Sequence, residues 1–278
     1  MHYAIQKLYE VISSLKERKE WSQVSMMTTF YNHDGKLLED WRPLLRILHL
    51  GNGGDPFAQR GASLCLACIL LVGCPSRQSQ SLLTDYSTVR EPLQALLSWI
   101  SSQLQSSSGS SVSLVTPTLM ILIDCREARH MFATGGGIGY LSKHLKSKQG
   151  GDGSRRIQNG ASVQQIYELT FALWSMTYEL NSSYNIRVAF VDMGAVKALC
   201  DLVAFAPREK VVRVALSSLC NLARCTPDYS EAVEIKRRID GSLYLDDMIA
   251  CGLTKSVDLL KQRKWTDEDI LEGRSFDV

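Results

Sequence analysis

The sequence predicts an all-α protein, folded as a solenoid of stacked helical repeats. Three observations predict this fold class. Apolar residues recur at the three- and four-residue spacing of amphipathic helices along nearly the whole chain. No stretch alternates polar and apolar residues for long enough to demand a β-sheet. A two-helix unit recurs along the chain, and because one such unit cannot bury both of its faces alone, its neighbours must stack.

The predicted helices follow one another with few interruptions. The helical spacing is clear over residues 5–15, 41–50, 61–72, 93–104, 117–125 and 165–180. Polar segments rich in serine and glycine predict flexible loops at 105–113 and 146–162. We therefore expect one helical domain over residues 1–270, interrupted by these two loops.

Composition limits the classes of function that the chain can perform. The chain has 278 residues, a net charge of +2 and 45% hydrophobic residues. It can bury a substantial core, but its charge gives no electrostatic case for binding nucleic acid. The longest apolar run, residues 61–74, is shorter than the roughly 20 residues of a membrane span, and residues 1–10 contain no signal-peptide core. We expect a cytosolic protein without direct membrane insertion.

The clearest repeat unit covers residues 191–223. Gly194 opens its first helix, and Pro207 ends that helix because proline cannot continue it. The second helix ends with Asn221 beside its apolar face. Gly137 and Gly252 open segments in the same hydrophobic register, so we predict Gly137, Gly194 and Gly252 as repeat-turn glycines. This spacing resembles the armadillo repeat, and the resemblance implies a right-handed superhelical solenoid of armadillo/HEAT-like repeats.

The glycine-rich stretch at 133–141, ATGGGIGYL, also suggests a phosphate-binding loop. A Walker loop needs a glycine followed by Lys-Ser/Thr, and this stretch has none. A dinucleotide fingerprint needs a third glycine where Tyr140 stands, and it follows a strand, whereas the preceding segment here reads as a helix. A tight turn between helices is the better interpretation.

The other candidate sites also favour structural interpretations. Most of the eight cysteines lie inside apolar helical patterns, which predicts free buried thiols rather than disulfides or a zinc site, namely Cys65, Cys68, Cys125, Cys200 and Cys220. The acidic residues at 267–269 are better explained as a helix cap than as paired catalytic carboxylates. We therefore predict that the chain is not an enzyme and holds no cofactor or metal.

A helical solenoid without an active site presents a groove that binds other proteins. Asn221 is the strongest candidate in this groove, because the matching asparagine of armadillo-like folds can hydrogen-bond an extended peptide backbone. Arg224 and Trp174 complete the predicted partner-binding groove. One functional alternative is therefore a generic armadillo-repeat adaptor that captures an extended peptide.

The order of several segments is more specific than any single repeat, and together they resemble one family. The segments are WRPLL at 41–45, DPF at 55–57, LSWISSQL at 97–104, QIYELTFALWSMT at 165–177 and LLKQRKWTDEDI at 259–270. They resemble the N-terminal domain of the H subunit of the V-type proton-translocating ATPase (V-ATPase), in the order found there and over nearly the whole chain.

The resemblance implies a non-catalytic regulatory role in the V1 sector. It implies binding to the peripheral stalk, formed by the E and G subunits, and support for the coupling of ATP hydrolysis to proton transport. The implied location is peripheral, on the cytosolic face of a vacuolar, other endomembrane or plasma membrane. In the family a C-terminal domain follows, so we expect residues 271–278 to be a truncated linker towards a missing domain.

Overall fold

The structure is a computed structural model that describes residues 42–49, 55–72, 86–106, 109–149, 155–157, 162–206, 208–225 and 241–262. The chain divides into two compact units, Met1–Phe132 and Ala133–Val278, which are described separately below. The predicted helix at 5–15, the acidic cap at 267–269 and the predicted linker at 271–278 lie outside the described residues. The expectation of one domain over 1–270 stays a prediction.

In unit 1 the described helices are α1 (Arg42–Leu48), α2 (Pro56–Val72), α3 (Tyr86–Gln105), α4 (Gly109–Leu122) and α5 (Arg126–Phe132). α2 begins at Pro56 because the fixed φ of proline suits the first helical position. Asp55 Oδ1 accepts a hydrogen bond from the Phe57 N–H at 3.0 Å and so satisfies one free donor at this helix start.

The core of unit 1 lies between α2 and the helices packed on it. α2 packs against α1, α3 and α4, and Ala62, Leu66 and Ala67 on it are completely buried. The Ser63 and Thr118 hydroxyls lie 2.8 Å apart and hydrogen-bond between α2 and α4. Each hydroxyl thereby has a hydrogen-bond partner although it is buried away from water.

α3 and α4 begin earlier than the sequence predicts. The predicted helices start at 93 and 117, next to or at a proline, whereas Pro92 and Pro117 lie inside α3 and α4. A proline has no backbone N–H to donate to the helix, but here each helix extends beyond the proline on the N-terminal side. As a result residues 109–113, predicted as part of a flexible loop, are helical in the structure.

In unit 2 the segment Ala133–Gly137, kinked at Gly136, leads into α6 (Ile138–Leu145). The later helices are α7 (Val163–Met176) with a 3-10 turn at Thr177–Glu179, α8 (Tyr184–Asp192), α9 (Ala195–Phe205), α10 (Glu209–Ala223), α11 (Gly241–Ala250) and α12 (Leu253–Gln262).

A short antiparallel hairpin lies within the segment predicted as a flexible loop at 146–162. Its strands are β1 (Ser147–Gln149) and β2 (Arg155–Ile157), with Lys148 opposite Arg156. This hairpin is the whole of the β structure in the described part of the chain, and the predicted all-α fold class is confirmed.

Three glycines with left-handed backbone conformation mark the repeat in unit 2. They are Gly136, Gly194 and Gly252, with φ of 92°, 72° and 77°, and Gly194 lies midway between the other two along the chain. Gly137, the predicted turn glycine of the first repeat, has φ −54° and lies buried directly before α6. The turn glycine is therefore Gly136, because the reversal needs positive φ one residue earlier.

Helices that follow these glycines pack on one another from repeat to repeat. α6 packs on α9, and α9 packs on α12; the second helices α7 and α10 also pack together. α9 lies at the centre of unit 2, with eight of its residues buried. This is the neighbour-to-neighbour stacking of a helical solenoid, whereas the handedness of the superhelix stays a prediction.

The cysteines match the predicted free, buried thiols in part. Cys65, Cys68 and Cys200 are free and buried, and burial raises the pKa of Cys65 and of Cys200 to about 12. Cys220 is free but exposed, because it lies on the side of α10 away from the buried core. Cys125 is disulfide-bonded instead of free and lies in the turn between α4 and α5 rather than inside a helix.

Candidate partner-binding face

The position of α7 is set at its first residue by a capping box. The Gln165 N–H donates to Ser162 Oγ at 3.2 Å, and the Ser162 N–H donates to Gln165 Oε1 at 2.7 Å. From this start Ile166, Leu169 and Leu173 fall on the buried side of the helix. The opposite side of α7 therefore faces solvent.

An aromatic stripe runs along the solvent side of α7 and into the turn that follows it. The rings contact in sequence, with centroids 6.1 Å, 5.0 Å and 5.1 Å apart. The first three rings are half-buried, and the last, Tyr178, is 58% exposed. Spacings of four, three and four residues place all of them on one helical face. The aromatic stripe consists of Tyr167, Phe171, Trp174 and Tyr178.

The solvent side of α10 carries a row of basic residues. Val211, Ala215 and Leu222 form the buried side of this helix. Residues on the opposite side follow at intervals of three and four, so they form one exposed row. Its charged members, the basic stripe, are Lys210, Arg213 and Arg224, of which Lys210 and Arg224 are exposed and Arg213 is half-buried.

The two stripes adjoin because α7 and α10 pack together, and two side-chain contacts join the C-terminal ends of these helices. Asn221 Nδ2 donates to Thr177 Oγ1 at 2.8 Å, and Cys225 Sγ lies 3.7 Å from Asn181 Oδ1. Both contacts join residues 44 positions apart, so the two segments run in the same direction over this turn. We call the combined surface of the aromatic stripe and the basic stripe the aromatic–basic face.

The structure brings the three predicted groove residues to this face. Thr177 Oγ1 donates to the Trp174 carbonyl at 2.6 Å and accepts from Asn221, so one hydroxyl links Trp174 to Asn221. Arg224 follows one turn after Asn221 and is exposed. Asn221 was predicted to bond a peptide backbone, but one of its amide N–H groups already bonds Thr177. Contact of these residues with a partner stays a prediction.

The family of the chain is decided by its match to known proteins. A family model that describes the H subunit of the V-ATPase matches residues 1–276. The chain belongs to the V-ATPase H-subunit family. The resemblance seen in the sequence segments is thereby confirmed.

Several similar proteins are named as the H subunit of the V-type proton ATPase. That of Dictyostelium discoideum is 24% identical over 82% of this chain and 42% of its own length. That of Drosophila melanogaster is 24% identical over 88% of this chain and 44% of its own length. A probable H subunit of Oryza sativa subsp. japonica is 23% identical over 88% and 49%. This member of the H-subunit family thus spans less than half the length of these relatives.

Sequence reasoning missed most of the aromatic stripe in this H-subunit family member. It selected Trp174 alone, although Tyr167, Phe171 and Tyr178 share its face. The available signal was the spacing of four, three and four residues between aromatic side chains. Thr177 was also missed, and no local pattern reveals it, because its role depends on contact with Asn221 from a distant helix.

Behind the aromatic–basic face, buried polar groups tie α8 to its neighbours. Arg187 Nη1 donates to the Leu180 carbonyl at 2.8 Å. The Tyr244 hydroxyl donates to the Arg187 carbonyl at 3.0 Å, and burial raises the pKa of Tyr244 well above its usual range. These bonds cross from the end of α7 to α8 and from α8 to α11, so they hold the helices behind the face in fixed positions.

Other kinds of functional site were also sought in the described part of this H-subunit family member. It contains no group of three or more His, Cys, Asp or Glu side chains placed to hold a metal ion. No helix in the same residues is long and apolar enough to cross a membrane. At the glycine-rich turn, a Cβ built on Gly136 would lie 3.5 Å from the Tyr140 hydroxyl, so a tyrosine ring covers this turn.

Proposed function

We propose that this chain is a non-catalytic regulatory subunit of a V-type proton-pumping ATPase. It binds the peripheral stalk of V1, formed by the E and G subunits, and supports the coupling of ATP hydrolysis to proton transport. The observation that carries this proposal is the match to the H-subunit family over residues 1–276. The chain then acts at the cytosolic face of an acidified organelle or of the plasma membrane, held there by the complex.

The aromatic–basic face supports a binding role. Tyrosine, tryptophan, phenylalanine and arginine are enriched where proteins bind one another, because they bury large areas and form several contacts each. This face offers Trp174, Tyr178 and Arg224 at solvent-accessible positions of two helices. Its side chains are suited to contact with another protein rather than to catalysis.

The experiment is to mix purified chain with the E–G dimer of a eukaryotic V-ATPase at low salt. We expect co-elution in size-exclusion chromatography, saturable binding heat in calorimetry, and no ATP hydrolysis by the chain alone. Absence of binding to the dimer would overturn the proposal. Recovery of extended-peptide ligands from a lysate without any V1 component would instead favour the generic adaptor.

A further inference from the structure

We propose that the aromatic–basic face docks an acidic amphipathic helix of the partner. The apolar side chains of that helix lie against the aromatic stripe, and its carboxylates lie along the basic stripe. This inference rests on the proposed function only in taking the partner to be a V1 component. The chemistry of the docked segment follows from the face itself.

The shape of the face favours a helix. The aromatic stripe extends from Tyr167 to Tyr178, which is about 16 Å along a helix axis, or three turns. A partner helix laid along it would present contacts at intervals of three and four residues, matching the spacing of the rings. An extended peptide would need donors for its backbone carbonyls, and one amide N–H of Asn221 is already bonded to Thr177.

The charge of the face favours an acidic partner. Among the described residues Lys210 and Arg224 form no ion pair, whereas charged side chains on α9 and α12 do, as in Lys197–Asp201 and Lys261–Asp258. Two acidic residues are next to the aromatic stripe in sequence. Glu179 is buried and accepts a hydrogen bond from Ser182 Oγ at 3.1 Å, and Glu168 accepts one from Gln164 at 2.8 Å. The helical position of Glu168 lies on the side of the aromatic stripe away from α10. On α10 the three basic residues of the basic stripe stand against one acidic residue, the half-buried Glu209 in the first turn. The α10 side of the face therefore carries a net positive charge.

The arrangement of the two stripes also determines where apolar and acidic residues must lie on the partner helix. Because α7 and α10 pack together and their C-terminal ends run in the same direction, apolar and basic side chains occupy adjacent rows. A matching helix must carry its apolar and acidic residues on adjacent lines as well. Charge at such interfaces speeds encounter and selects the partner, while the buried aromatic rings supply most of the affinity.

The first test measures binding of the purified full chain to the E–G dimer by calorimetry. Trp174→Ala, Tyr178→Ser, Lys210→Glu and Arg224→Glu should each weaken binding at least tenfold. The matched controls on α12, Lys255→Glu for charge and Leu259→Ala for exposed apolar surface, should stay within twofold of the original chain. Far-ultraviolet circular dichroism and thermal midpoints identify any variant that fails to fold. If Trp174→Ala fails to fold, the variants of the exposed residues Tyr178 and Arg224 still test the inference.

The second test uses synthetic probes that do not depend on any V1 component. One peptide is an amphipathic helix of leucine and glutamate, and its counterpart carries lysine in place of every glutamate. We expect the glutamate peptide alone to bind, to lose affinity in high salt, and to lose it again with Arg224→Glu. Equal binding of both peptides, or of the variant and original chains, would overturn the inference.

The two tests separate the inference from the proposed function. If the dimer binds but the variants of the face bind it equally well, the docking inference is wrong and the stalk-binding proposal stands. If the dimer does not bind while the glutamate peptide binds through Trp174 and Arg224, the stalk-binding proposal fails and the inference stands. Failure of both the dimer and the glutamate peptide overturns both.

Discussion

At the scale of single residues, the glycine run at 135–137 shows how backbone geometry selects one of several identical residues. Gly136 has φ 92° and ψ 6°, whereas Gly137 has φ −54°. The sequence cannot distinguish them, because three consecutive glycines offer the same freedom at each position. Only the direction in which the chain enters α6 decides which of them needs the left-handed conformation.

We predict that Gly136→Ala lowers the free energy of unfolding by about 1–2 kcal/mol, because a Cβ disfavours left-handed backbone. Gly135→Ala is the matched control, since a Cβ there meets nothing within 4 Å and its φ is not in the left-handed region. Urea unfolding followed by circular dichroism measures both variants. Equal unfolding midpoints for the two variants would contradict the assignment of the turn to Gly136. ATP should shift neither midpoint.

The buried thiols predict how stability depends on alkaline pH. Burial raises the pKa of Cys65 and Cys200 to about 12, against about 8.5 in an unfolded chain. Between these values the folded chain retains protons that the unfolded chain has released, so the free energy of unfolding falls as pH rises. Below about pH 8 the contribution is fully present.

Urea unfolding at several pH values from about 7 to about 10.5 measures this dependence. The original chain should lose stability above about pH 8.5, and Cys200→Ala should lose it less steeply because one raised pKa has been removed. Leu199→Ala supplies the control, because it removes a buried side chain of the same helix that carries no titratable group, and it should leave the slope unchanged. The same slope in Cys200→Ala and the original chain would show that this thiol does not contribute.

At the scale of elements, the presence of the helices could be predicted from local patterns, but several helix boundaries could not. α2 and α7 were predicted because their apolar spacing is continuous. α3 and α4 start earlier than predicted because helix packing outweighs the preference of Pro92 and Pro117 for a first turn. Propensity acts within a few residues, whereas the packing that extends these helices comes from neighbouring helices.

The candidate face shows the same limit at the level of paired elements. Trp174, Asn221 and Arg224 could each be selected from the sequence. Their proximity depends on the common register of α7 and α10, which appears only in contacts between residues 44 positions apart. A single sequence contains no local signal for such a register. Individual residues of the face could therefore be predicted, but their proximity could not.

The capping box of α7 predicts a measurable contribution to the stability of the helix that carries the aromatic stripe. Ser162→Ala should lower the free energy of unfolding by about 0.5–2 kcal/mol, because the Gln165 N–H loses its acceptor. Gln164→Ala is the nearby control and should change it by less than about 0.5 kcal/mol, since Gln164 is exposed and forms only a surface bond. Thermal unfolding of both variants measures the difference, and an equal effect would refute the capping role.

At the scale of the whole molecule, the fold class and the family were predictable, whereas the arrangement of the repeats was not. Repeated amphipathic spacing predicts stacked helices without any knowledge of distant contacts. The hairpin, the turn at Gly136 and the exposed Cys220 are among the features at which the predictions and the structure differ.

Stacked repeats also predict a gradient of local stability along unit 2. α9 has eight buried residues and packs on helices of both neighbouring repeats, whereas none of the residues of α12 is buried. A helix with many buried residues opens less often than one with none. Backbone amides of α9 should therefore exchange on the order of 100-fold more slowly than those of α12. Hydrogen–deuterium exchange with mass spectrometry of peptides from 195–205 and 253–262 measures this ratio. Equal protection in the two helices would mean that unit 2 opens as one block rather than repeat by repeat.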